Sequence, residues 1–84
     1  MKKRTPKSTE PQMVLRWLFR QSDRVLTCGI TRAEAVFEVM TVPHWDITRA
    51  SVERFSCAKA ALQRHAEIAS LLRESGWSAA AYTR

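Results

Sequence analysis

Thr31-Arg32-Ala33-Glu34-Ala35-Val36-Phe37-Glu38-Val39-Met40, TRAEAVFEVM, is the stretch on which the reading of this chain turns. Thr31 and Glu34 stand three residues apart, the spacing at which a hydroxyl and a carboxylate each satisfy a free backbone N–H at a helix start. Ala33, Val36, Phe37 and Met40 then recur at steps of three, one and three, which gathers them on one helical face. The spacing predicts a helix over residues 32–40. Pro43 closes it, because the residue before a proline is pushed out of the α region.

The flanks read the same way. Thr9 and Gln12 have capping-box spacing and Pro11 is tolerated in a first turn, so a helix is expected from there to about residue 23. Met13, Val14, Leu15, Trp17, Leu18 and Phe19 wrap widely around it, leaving Arg16 and Arg20 on the remaining side. Residues 24–28 read as a short extended link, broken by Gly29.

Beyond Pro43, Asp46 or Thr48 can cap a third helix, and no glycine or proline interrupts residues 47–75. As one helix that run would extend ~43 Å, so it either breaks near residues 63–66 or pairs with a second chain. Phe55, Ala58, Leu62, His65, Ala69 and Leu72 alternate spacings near four and three, the pattern of a seam through which two copies would dimerise. Gly76 suits a helix end, with Trp77 packing back on Leu72. Residues 78–84 are left as an extended strand or a frayed end. The fold class expected is all-α in the main, with three to four helices in a helix-turn-helix or winged-helix-like arrangement. One helical domain spans residues 9–84 behind a flexible basic tail, residues 1–8.

Composition bounds function. Eighty-four residues make a single domain, and 45% hydrophobic content argues for a folded one. The formal charge is +6, and its placement is uneven. Lys2, Lys3, Arg4 and Lys7 crowd the first nine residues without an acid, so from Glu10 onward ten bases face eight acids. Such an arm on a nearly balanced domain suits a grip on phosphates. No apolar run is long enough to span a bilayer, and no hydrophobic signal segment stands at the start, which predicts a cytoplasmic protein. Cys28 and Cys57 are too few for a disulfide framework.

Three chemistries can be weighed. Residues 31–40 as supporting helix, 41–47 as turn and Thr48 onward as recognition helix would make a DNA-binding unit. Thr48, Arg49, Ser51 and Arg54 would lie near the helix start where base edges are read, with Arg49 and Arg54 as readers and the Lys2, Lys3, Arg4, Lys7 arm on phosphate. Cys28, His44, Cys57 and His65 are a metal-ligand inventory without the close pair spacings that pre-form a zinc site, so no metal or other cofactor is expected. No nucleophile elbow, phosphate loop or acidic pair supports catalysis, and no enzyme activity is expected.

From Thr31 to Trp77, the order of capped helix, proline turn, polar helix start and the closing segment IASLLRESGW (68–77) resembles the winged-helix tail of phage and virulence-associated primase–helicases. The resemblance implies DNA binding, with the region after Trp77 starting a wing. No nucleotide-binding loop is present, so helicase activity is not carried over. The reading is thus a small DNA-binding regulator or accessory, a dimer on duplex DNA. The alternative is a helical protein-interaction module, an adaptor or inhibitor, that binds no nucleic acid.

Overall fold

Residues 31–40 do not form a helix. In the computed structural model, which describes residues 12–83, they are the end of one strand and most of the next. The elements run β1 (Gln12–Gln21), β2 (Arg24–Ala33), β3 (Val36–Pro43), a 3₁₀ turn (Ile47–Arg49), β4 (Ser51–Phe55), α1 (Ala58–Glu74) and β5 (Ser78–Thr83). All five strands join one antiparallel sheet in the order β4-β3-β2-β1-β5. The first four meander; α1 then carries the chain back across one face to the far edge, where β5 pairs with β1.

The all-α expectation is therefore corrected, and the reason is chemical. Val25, Thr27, Ile30 and Thr31 in β2 and Val36, Val39, Thr41 and Val42 in β3 are β-branched, a composition that fits a pleated surface better than a helix. Glu34 caps nothing. It sits with Ala35 between β2 and β3 at φ 57°, and Ser22 takes the same φ between β1 and β2. Each two-residue connection thus has the positive φ that a tight hairpin needs at its first turn residue.

The helix expected up to residue 23 is also a strand. Leu15, Trp17, Phe19 and Gln21 alternate with Arg16, Leu18 and Arg20, so the apolar set that wrapped a helix too widely is a period-two pattern. Of residues 47–75, only Ala58–Glu74 is α-helical; it does not break at residues 63–66, and the segment before it is the 3₁₀ turn and β4. The tail, residues 1–8, lies outside the described residues.

The core lies between α1 and one face of the sheet. Phe19, Leu26, Cys28 and Ala69 form one buried cluster, with Trp17, Ile68, Leu72 and Trp77 against it. Ile30, Val39 and Ala61 form the other, with Leu15, Phe37 and Phe55. The buried positions of α1 are Ala61, His65 and Ala69, one turn apart each. Small side chains at two of them let the helix sit close on the strands. Arg64 ties α1 to β4 through Glu53 at 3.0 Å.

The end of α1 follows its sequence. Gly76 takes φ 95° and the Trp77 N–H donates to the Leu72 carbonyl at 2.9 Å, bringing the indole onto the core. A Cβ at Gly76 would stand 2.8 Å from Gln21 Nε2, whose amide donates to the Ser75 carbonyl. Gly76→Ala is expected to cost about 1–2 kcal/mol, from the left-handed backbone and the displaced Gln21, and chemical denaturation measures it.

His65 is 3% exposed; its Nε2–H donates to the Cys28 carbonyl at 3.2 Å, and its ring meets Trp17 edge-on at 5.1 Å. Burial holds its pKa below the ordinary histidine value, and the Cys28 bond opposes that only in part. Below about pH 6.5 the unfolded chain takes up a proton that the folded chain resists, so stability falls as pH drops through that value and down to the native pKa. Urea midpoints should decline from pH 7.5 to pH 5, and the decline should be shallower in His65→Gln.

Candidate nucleic-acid interface

Alternation along the strands leaves a second sheet face, on the side away from α1. Across it, row by row, stand Arg20 and Val25; then Leu18, Thr27 and Val42; then Arg16, Gly29, Met40 and Val52; then Met13, Thr31, Glu38 and Arg54. No described element packs on this face. A solvated sheet face is usually polar, yet here Leu18, Val25, Met40 and Val42 are only half-buried, while Val52 is 54% and Met13 46% exposed.

Charge on the face is one-sided. Among the described residues its single carboxylate, Glu38, accepts from Arg54 Nε at 2.8 Å and is neutralised there. Arg16 and Arg20 are exposed and have no ion-pair partner among the described residues. Four residues apart on one strand, they are separated by ~13 Å. His44 also belongs to this side, its Nε2 2.7 Å from the Thr27 hydroxyl.

Gly29 makes room at the centre. A register irregularity between Met13 and Leu15 sets Val14 aside as an extra residue and brings β1 close over β2. The Leu15 carbonyl then lies 2.8 Å from where a Cβ on Gly29 would stand. The bulge turns Met13 onto the open face and Leu15 toward α1.

The residues expected to read DNA do not share a helix. Thr48 and Arg49 lie in the 3₁₀ turn, where Asp46 holds the Thr48 hydroxyl and backbone N–H. Ser51 and Arg54 lie on β4, and by alternation only Arg54 of these two faces the open side. No recognition helix exists for any of the four, and the order from residue 31 to 77 is not a winged helix. The segment 68–77 is the second half of α1 with its Gly76–Trp77 exit, and the residues after it are a sheet strand rather than a wing. Lys2, Lys3, Arg4 and Lys7 lie outside the described residues.

The other constellations separate as well. Cys28 is buried and its thiol is pushed up to about 11 by burial, so it is neutral near pH 7. Thr27 and Cys28 are successive in β2 and point to opposite faces, which puts His44 and His65 on opposite sides of the sheet. Cys57 is exposed at the start of α1. The expected dimer seam is largely spent inside the chain: Ala69 is buried, and Phe55 and Leu72 pack on the core clusters. Leu62 is exposed instead beside a groove of about 530 Å³ lined by Val14, Leu15, Trp17 and Tyr82.

Arg16 and Arg20 were legible only as a pair on the polar side of a supposed helix. The signal that finds their true setting is the period-two run Arg16, Leu18, Arg20 against Trp17, Phe19, Gln21. Comparison with family models, with curated proteins and with solved structures finds no match to this chain. No helix among the described residues is long and apolar enough to cross a membrane.

Proposed function

We propose that this chain is a non-catalytic nucleic-acid-binding module whose open sheet face holds a single strand, with Lys2, Lys3, Arg4 and Lys7 adding phosphate contacts from the arm that precedes β1. The observation that carries the reading is the pair Arg16 and Arg20, exposed and, among the described residues, without an ion-pair partner on a face whose one described carboxylate is already neutralised. Guanidinium groups bond phosphate oxygens in a fork, while the half-buried Leu18 and Met40 and the exposed Val52 offer apolar surface to sugars and bases.

Width selects the form of nucleic acid. Five strands span ~19 Å between their outer axes, more than the ~12 Å major groove, so the middle of the face cannot reach base edges in an undistorted duplex. A single strand can lie flat on it. This activity belongs in the cytoplasm, where Cys28 and Cys57 remain thiols.

A second reading rests on a specific feature: the centre of the face is aliphatic and carries no aromatic ring on which a base would stack. That favours a protein partner with an apolar strip flanked by acids. Fluorescence anisotropy with a labelled single-stranded oligonucleotide and its duplex, across a salt series, separates the two. The nucleic-acid reading predicts tighter binding of the single strand and a log–log salt slope of about −1.4 or steeper, from two phosphate contacts or more. Absence of binding at low salt overturns it in favour of the acidic protein.

A further inference from the structure

The two edges of the sheet are unlike. β4 is five residues long, carries Glu53 and Arg54, and follows directly on the 3₁₀ turn. The two edges are of similar length, and charge, one device that keeps an edge from pairing with another chain, is what β4 carries and β5 lacks. β5 is six residues, Ser-Ala-Ala-Ala-Tyr-Thr, with no charge and no proline. Its inner side pairs with β1, with one irregularity at Ala80, and no described strand pairs with its outer side. Tyr82 rests edge-on against Trp17 at 4.7 Å, yet is 63% exposed.

We propose that the outer edge of β5 pairs antiparallel with β5 of a second copy, forming a ten-stranded sheet across a two-fold axis. With the axis between Ala80 and Ala81, Ala79 of each copy falls beside Tyr82 of the other. Both residues lie on the α1 side, because Ala79 pairs with Phe19 and Tyr82 with Trp17 in β1. A large ring therefore meets the smallest of the neighbouring side chains at both ends of the seam, and no like charges face each other on the paired strands. An isologous contact of this kind closes on itself and stops at two copies.

The axis runs perpendicular to the sheet, so both open faces look the same way. Two copies of β5 separate one β1 from the other, about 14 Å away, and Arg16 and Arg20 of both copies then form one basic patch. This consequence rests on the nucleic-acid reading; the dimer itself does not. A six-residue seam is small, so self-association is expected at about 10 µM to 1 mM.

Sedimentation equilibrium of the full chain without nucleic acid, over that concentration range, tests the pairing apart from the binding function. The mass is expected to rise from that of a 9.6 kDa monomer toward twice that value. Ala80→Asp sets two carboxylates near the axis and should shift the midpoint at least tenfold higher, with an unchanged circular dichroism spectrum. Hydrogen exchange keeps the test open if that variant folds poorly: amides of residues 79–82 in the unaltered chain should gain protection with concentration. A monomer throughout, a dimer unaffected by Ala80→Asp in the folded variant, or concentration-dependent protection confined to other strands overturns the proposal.

Discussion

Replacing Arg16 and Arg20 together by alanine is expected to lower affinity for a single-stranded oligonucleotide by more than about a hundredfold at low salt and to flatten the log–log salt slope by about 1.4. Each guanidinium makes a charge-assisted bond worth about 1.5–3 kcal/mol, and each neutralised phosphate contributes about 0.7 to the slope of a single strand. Thermal stability should hardly move, because both side chains are exposed and unpaired among the described residues. Arg49→Ala is the informative control. Arg49 sits in the 3₁₀ turn rather than on a strand of the sheet, and its loss should change affinity by only about twofold through general charge. Comparable losses from Arg49→Ala and from the double variant would mean that charge alone, and not the face, binds the strand.

Gly29→Ala should be the most damaging single methyl group in the chain. The added Cβ would stand 2.8 Å from the Leu15 carbonyl oxygen and 3.6 Å from the Arg16 Cα, so backbone rather than a flexible side chain must give way. β2 is the central strand of the sheet, held by β1 on one side and β3 on the other. Overpacking of this kind costs about 1–3 kcal/mol, and the rigid neighbour argues for the upper half of that range. In a domain this small, each kcal/mol shifts the melting temperature by about 4–8 °C. A drop of about 8–24 °C in a calorimetric melt is expected, and an unchanged melt would contradict the close approach of β1 to Gly29. Because Arg16 lies directly across from Gly29, a folded Gly29→Ala chain should also bind nucleic acid less tightly.

What the sequence told and withheld follows from how short patterns behave. The exit of α1 was legible because Gly76 and Trp77 carry a helix-end signature, a glycine at positive φ followed by a bond back to Leu72. The hairpin at Glu34 was not. Ala33, Val36, Phe37 and Met40 satisfy a helical period by coincidence, while Phe37, Val39, Thr41 and Pro43 satisfy the strand period that pairing with β2 enforces. Neither tight turn announces itself, since Ser22 and Glu34 occupy positions where glycine or asparagine would normally mark a hairpin.

The candidate site was less legible still. A strand with one face under a helix and the other apolar reads as a helix that is hydrophobic nearly all round, as residues 13–19 do. Arg16 and Arg20 come together with Leu18, Thr27 and Met40 only after three strands are in register, and no local pattern encodes that register. The basic arm was visible in composition alone. The placement of Arg49 and Arg54 as readers depended wholly on a recognition helix that the chain does not form.

The central claim is that the open face of the sheet is the binding surface, and amide chemical-shift mapping of the ¹⁵N-labelled protein during titration with a single-stranded oligonucleotide tests it most directly. The account predicts that the largest shifts fall on Arg16, Leu18, Arg20, Thr27 and Met40, with the exposed side of α1, at Gln63, Glu67 and Ser70, unmoved. Shifts confined to α1 or to the turn at Ile47–Arg49, with β1 and β2 silent, would contradict it.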